Sequence, residues 1–177
     1  MLTAEQVADY FLRLVDEDAG DSISNLKLQK LVYYTQAWHL AITGQPLFAD
    51  RIEAWVHGPV VPSLYDKYKV FGWEPIRPLA TPQLFSRLPV AAGKEWAGAP
   101  LPRPDAPLPD IDPQTQEILD DVWAAYGQFT AKRLEELTHS EDPWIDAREG
   151  CGAGDSSNAI ISQDAMRAYY TAKLAED

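Results

Sequence analysis

The chain has 177 residues, 46% of them hydrophobic and 11% aromatic, with six tryptophans and a formal net charge of −12. A chain of this length buries about 70% of its unfolded surface, and its apolar content excludes an intrinsically disordered acidic protein. The charge is uneven, with seventeen acids against eight bases in residues 79–177. That balance argues against direct duplex DNA binding, which needs Lys and Arg to displace counterions, and suits either a basic protein partner or plain solubility.

Thr3-Ala-Glu-Gln6 has the form of a capping box, and Val7, Phe11, Leu14 and Val15 predict an amphipathic helix to about Asp16. Asp16 to Asp21, with Gly20, reads as a short acidic connection. The stretch from Ser24 to Gly44 is apolar on more than one helical face. Leu28, Leu31, Val32, Trp38 and Ile42 run down one side, and Leu26, Tyr33, Ala37, Leu40 and Ala41 cover another, which predicts a central helix surrounded by the rest of the fold. Ser24 is its expected N-cap, and Gly44 followed by Pro46 its stop. Gln29, Tyr33 and Gln36 form a polar row, read as a buried hydrogen-bond network with a partner surface as the alternative.

Ile52, Ala54 and Val56 alternate with Arg51, Glu53 and Trp55, predicting a short strand. His57-Gly58-Pro59-Val60-Val61-Pro62 is expected to turn, since each proline biases its predecessor away from the helical region. Pro62 then opens a helix with Leu64, Tyr65, Tyr68 and Phe71 toward the core and Gly72 as its stop. Residues 75–113 hold ten of the fourteen prolines, so regular structure is expected to be sparse there. One edge strand around Leu84 to Val90 is possible, and Ala97 to Pro109 reads as an extended surface strap. Asp112-Pro113 caps the next helix, with Ile118, Leu119, Val122, Trp123 and Tyr126 on its apolar face and Gly127 at its end. Thr130 caps a shorter helix using Leu134 and Leu137. Asp142-Pro143 repeats the cap-then-proline pattern before Trp144, and Gly150 closes that piece. After a Gly, Asp and Ser loop, Ser162 caps a last helix with Ile161 stapled to Met166. The fold class is therefore mainly α, one helical domain over residues 1–177 around a central apolar helix, with a minor β element.

Cys151 is the only cysteine, so no intramolecular disulfide forms and a cytoplasmic location is expected. The start of the chain lacks a secretory pattern, and no window approaches the roughly 18 apolar residues of a membrane span. The compact enzyme motifs, a phosphate loop, a dinucleotide fingerprint, GxSxG and HExxH, are absent. His39, His57 and His139, with Cys151 or Asp142, are the residue types of a zinc site, but no two share ligand spacing. Each histidine has a bland role open to it: His39 in a helix interface, His57 under the Gly-Pro turn, His139 in the loop before Pro143. No metal or cofactor is expected. Cys151 sits near Glu149 and Asp155, which disfavour a thiolate. Asp120 with Asp121 and Glu135 with Glu136 point about 100° apart on a helix and read as solvated faces.

Three blocks, NLKLQKLVYYTQAWHLAITGQPLF, IEAWVHGPVVPSLYDKYKVFG and LTHSEDPWIDA, resemble in order and spacing the signature of the Panacea-domain family of SocA-like antitoxins and phage-associated proteins, over about two thirds of the chain. The resemblance implies a mainly helical, non-catalytic domain that neutralises a co-encoded toxin. It falls on Trp55, His57, Gly58, Pro59, Val60, Val61, Pro62, Tyr65 and Tyr68, and on His139, Asp142 and Trp144. Aromatic residues beside a stiff turn supply contact area at little entropic cost, so these are the candidate partner-binding residues. The alternative is a structural corner, and Trp144 reads as core rather than contact. The expected partner is a basic toxin, in a hetero-oligomer or beside a homo-oligomer, with no DNA or membrane contact. Delivery of the toxin to a protease is the nearest alternative, and a metal-dependent or cysteine hydrolase the alternative of another class.

Overall fold

A computed structural model describes residues 1–16, 18, 21–76 and 110–176. The proposed strand at Leu84 to Val90, the strap at Ala97 to Pro109 and Gly20 lie outside the described residues. The described chain is mainly helical, in the order α1 (Ala4–Leu14), α2 (Asn25–Thr43), β1 (Glu53–Trp55), β2 (Gly58–Val60), α3 (Pro62–Tyr68), a 3-10 turn at Lys69–Phe71, α4 (Pro113–Tyr126), α5 (Ala131–His139), α6 (Asp142–Ala147) and α7 (Gln163–Leu174).

Helix α2 is the axis. Ser24 caps it by accepting the Lys27 N–H, and Gly44 ends it in the left-handed region at φ 71°. Leu28, Leu31, Val32, Tyr33, Tyr34 and Ala37 are buried, because α1, α3, α4, α5, α7 and β2 all pack on this helix. Its pattern, apolar nearly all round, is satisfied from every side except at its last turn, where Ile42 is exposed instead of joining the core. The two glutamines of the row form the buried network, which the buried Tyr33 hydroxyl does not join. Gln29 accepts the Val61 N–H at 2.9 Å, and Gln36 accepts the N–H groups of Leu47 and Phe48 while donating to the Phe48 carbonyl. Two buried amides thus satisfy backbone groups that the loop could not otherwise pair.

The capping box at Thr3 and Gln6 forms as expected, and Phe11 of α1 stacks on Trp123 of α4 at 6.2 Å. Asp112, Thr130 and Ser162 each accept the N–H three residues on, capping α4, α5 and α7. Helix α6 departs from expectation. Glu141, not Asp142, is its N-cap residue and makes no side-chain cap bond. Its carboxylate instead turns inward to accept hydroxyls of Tyr34 at 3.3 Å and Tyr170 at 2.7 Å, and burial pushes its pKa above the usual carboxylate range.

The β element is larger than the alternation suggested. Gly58-Pro59-Val60, expected to be part of a turn, is the second strand of an antiparallel hairpin pairing Glu53 with Val60 and Trp55 with Gly58. Only Val56 and His57 lie between the strands. Pro59 is tolerated because its register partner, Ala54, sends its own N–H the other way, to the Ala159 carbonyl. Ile161 N–H donates to the Ile52 carbonyl, so residues 159–161 lie along β1 on its other side.

Candidate functional site

The three sequence blocks meet at the hairpin, which α2 supports from below and α5 and α6 hold at the side. Lys30 of α2 donates to the Pro59 carbonyl at 3.0 Å. Trp144 donates from its indole to the Trp55 carbonyl at 3.0 Å, and Arg148 donates to the Ala54 carbonyl at 2.9 Å. His139 stacks on one side of the Trp144 ring at 4.0 Å, and the Arg148 guanidinium lies 5.0 Å from the same ring. At the tip, the His57 ring pairs with Glu135 of α5 at 2.8 Å, and Lys132 reaches the other Glu135 oxygen at 3.2 Å. The backbone of β1 and β2 is therefore pinned by side chains of α2 and α6 and by Arg148 just after α6, while α5 holds the His57 side chain at the tip.

The electrostatics under the hairpin are unusual. Lys30 is 0% exposed, and burial lowers its pKa from 10.5 to about 7, against the attraction of Glu135. Burial alone would raise Glu135, but hydrogen bonds from His57 and Lys132 hold it below its usual range. Burial also lowers His139. Between pH 7 and 10.5 an unfolded Lys30 holds a proton that the folded chain has released, so stability should rise with pH through that window. The rise attributable to Lys30 is at most roughly 1.4 kcal/mol per pH unit. We expect it in urea unfolding compared at pH 7 and about pH 8.5, well below the ordinary tyrosine pKa of about 10, because the buried tyrosines, raised in the folded chain, oppose the rise nearer that value. Lys30→Met should lack this component, and equal pH slopes in the two proteins would refute the assignment.

The candidate residues divide by exposure. Gly58, Pro59, Val60, Val61 and Tyr68 are buried, Tyr68 at 0% exposed, so they present little surface to solvent in this conformation. Tyr68 packs in the core, with its hydroxyl 3.4 Å from Asp9. His57, with 55% of its side chain exposed, and Asp142 reach solvent, while Trp55, Pro62, Tyr65, His139 and Trp144 are half-buried. Trp55 and Tyr65 meet edge to face at 4.9 Å. Three residues of the corner were missed in the sequence. Lys30 was legible as a cation on a helix apolar nearly all round. Glu135, read as part of a solvated face, is buried by its pairing with His57. Trp73, just past Gly72, is 75% exposed with its ring 6.0 Å from His57, and no local pattern marks it.

Beside the corner, a cleft of about 370 Å³ opens between the start of α2 and the α4–α5 link, lined by Ser22, Lys27, Trp73, Phe129 and Thr130 among others. Lys27 donates across it to the Gly127 carbonyl. Among the described residues no group of His, Cys, Asp and Glu side chains is arranged to hold a metal ion, and no helix is long and apolar enough to cross a membrane.

The sequence profile of the family described as Antitoxin SocA-like, Panacea domain, matches residues 28–145, from α2 through the hairpin into α6. Antitoxin SocA of Caulobacter vibrioides is 30% identical over 132 residues, which take in 73% of this chain. The match covers 62% of that protein, so the chain spans less than two thirds of its relative's length. No solved structure matches the chain. The profile match covers more than half of the chain and runs through every element that builds the corner, and on that ground the chain belongs to the SocA-like antitoxin family of Panacea-domain proteins.

Proposed function

We propose that this chain is an antitoxin that neutralises a co-encoded toxin by direct, stoichiometric protein–protein binding, without turnover. The observation that carries the reading is the family match over the elements that build the corner. The corner's form supports it. Trp55 and His57 of the hairpin and Tyr65 of the adjoining α3 are partly or well exposed, and the hairpin backbone is pinned from below and from the side, so little entropy is lost when a partner closes over them. The net charge of −12 favours a basic toxin, drawn in over the roughly 8 Å screening length of physiological salt.

The test is co-expression with the product of the adjacent reading frame, followed by surface plasmon resonance of the purified pair at two salt concentrations. Raised salt should slow association more than it speeds dissociation. Tyr65→Ala, in protein with an unchanged melt, should raise the dissociation rate with a loss of about 2 kcal/mol. Rescue of growth without binding would sink the reading. Rescue only where a particular protease is present would move the protein to the adaptor role.

A further inference from the structure

We infer that residues 159–161 form an open sheet edge that receives an extended, basic segment of the toxin as an added β-strand. The inference rests on the antitoxin reading and names a surface for it. Ala54 N–H donates to the Ala159 carbonyl and Ile161 N–H to the Ile52 carbonyl, with Glu53 and Ile160 facing each other between them. In an antiparallel ladder this arrangement makes Glu53 and Ile160 a non-hydrogen-bonded pair, so the N–H and C=O of Ile160 point away from β1. No described residue bonds either group.

The edge is short, a single bridge at Glu53 and Ile160, but it carries none of the side-chain defences of natural edges. Natural edge strands are commonly blunted by lysine, proline or a bulge. Ser157-Asn-Ala-Ile-Ile-Ser162 contains neither lysine nor proline, and the Ile160 side chain is 60% exposed. Ile52, Ala54 and Ile161 face the core, which places Ile160 on the outer face with Glu53 and Trp55. A strand added at Ile160 would therefore continue the sheet next to the aromatic corner. Strand addition of this kind takes affinity from main-chain bonds and specificity from alternate side chains.

Charge decides between occupants. Residues 149–166 carry Glu149, Asp155 and Asp164, with Arg148 and Arg167 bounding the stretch and Arg167 paired with Asp164 at 3.2 Å, so among the described residues the acids left without an ion pair are Glu149 and Asp155, on a chain of net charge −12. A second copy paired edge to edge would set these acids against one another, whereas a segment bearing Lys or Arg would meet them favourably.

Ile160→Pro removes the outward N–H and leaves both inward bonds in place, a substitution edge strands tolerate when the missing donor faces solvent. With the adjacent gene product as probe, it should weaken binding by about thirtyfold or more at unchanged melting temperature. Ile160→Lys leaves the backbone untouched and covers the case in which the proline variant fails to fold. It should also weaken binding. In the wild-type complex, hydrogen exchange should show the Ile160 amide newly protected. Wild-type affinity in both folded variants, with the amide unprotected, overturns the edge while leaving the antitoxin reading intact, and loss of binding in Tyr65→Ala alone points the same way. A wild-type dimer at micromolar concentration that Ile160→Pro abolishes overturns the toxin assignment in favour of a second copy. If the wild type does not bind the gene product at all, both readings fall.

Discussion

Replacing Gly58 with alanine is expected to lower the free energy of unfolding by about 3 kcal/mol or more, by adding left-handed backbone strain of about 1–3 kcal/mol to a core overpacking cost of similar size. Gly58 has φ 96°, a conformation that side chains rarely adopt. A Cβ there would lie 2.7 Å from both the Lys30 Cε and Nζ and 2.8 Å from the Thr138 hydroxyl. The end of a lysine is ordinarily free to move aside. Here it is fully buried and bonded to Pro59, the residue next to the substitution, so yielding would break the bond that holds β2 to α2. Urea denaturation is the measurement. A loss below about 1 kcal/mol would mean that Lys30 and the hairpin relax together and that the corner is softer than its hydrogen bonds indicate. Because the hairpin carries Trp55 and His57, any Gly58→Ala protein that still folds should also bind the adjacent gene product more weakly.

Tyr68→Ala is expected to cost about 3–5 kcal/mol, the range for deleting a large aromatic ring from a packed core. Tyr68 is one of the largest fully buried side chains, and its hydroxyl approaches Asp9 of α1, so the ring helps to join α3 to the N-terminal helix. Sequence reasoning places Tyr65 and Tyr68 together as candidate contacts, three residues apart on one helix. The structure separates them: Tyr68 faces the core, and Tyr65 lies at the surface against Trp55. Tyr65→Ala should accordingly cost much less in thermal unfolding. Equal losses in the two variants would show that the burial difference between them has no energetic consequence.

What the sequence by itself determined is the set of features that depend on near neighbours. The caps at Thr3, Ser24, Asp112, Thr130 and Ser162 were legible because a cap bonds an N–H two or three residues away, and Gly44 because a left-handed helix end needs no distant partner. The central position of α2 was legible too, since a helix apolar on several faces must be covered on several faces. The Asp142 cap was misjudged: the helix starts at Asp142 itself, Glu141 holds the N-cap position, and its carboxylate bonds not a nearby N–H but Tyr34 and Tyr170, 107 and 29 residues away in the chain. Glu135 looked like half of a solvated acidic pair until His57, 78 residues distant, was brought beside it. Gly58-Pro59-Val60 looked like a turn because local rules see only the proline, whereas strand pairing with Glu53 to Trp55 and the bond from Lys30 make it the second strand of a hairpin. Residues 159–161 carry no strand pattern of their own and become an edge only through β1, more than 100 residues earlier. Periodicity and capping act within a few residues and can be read along the chain. Whether a charge is buried, which of two tyrosines faces out and where a sheet ends are set by contacts that exist only after distant segments have packed.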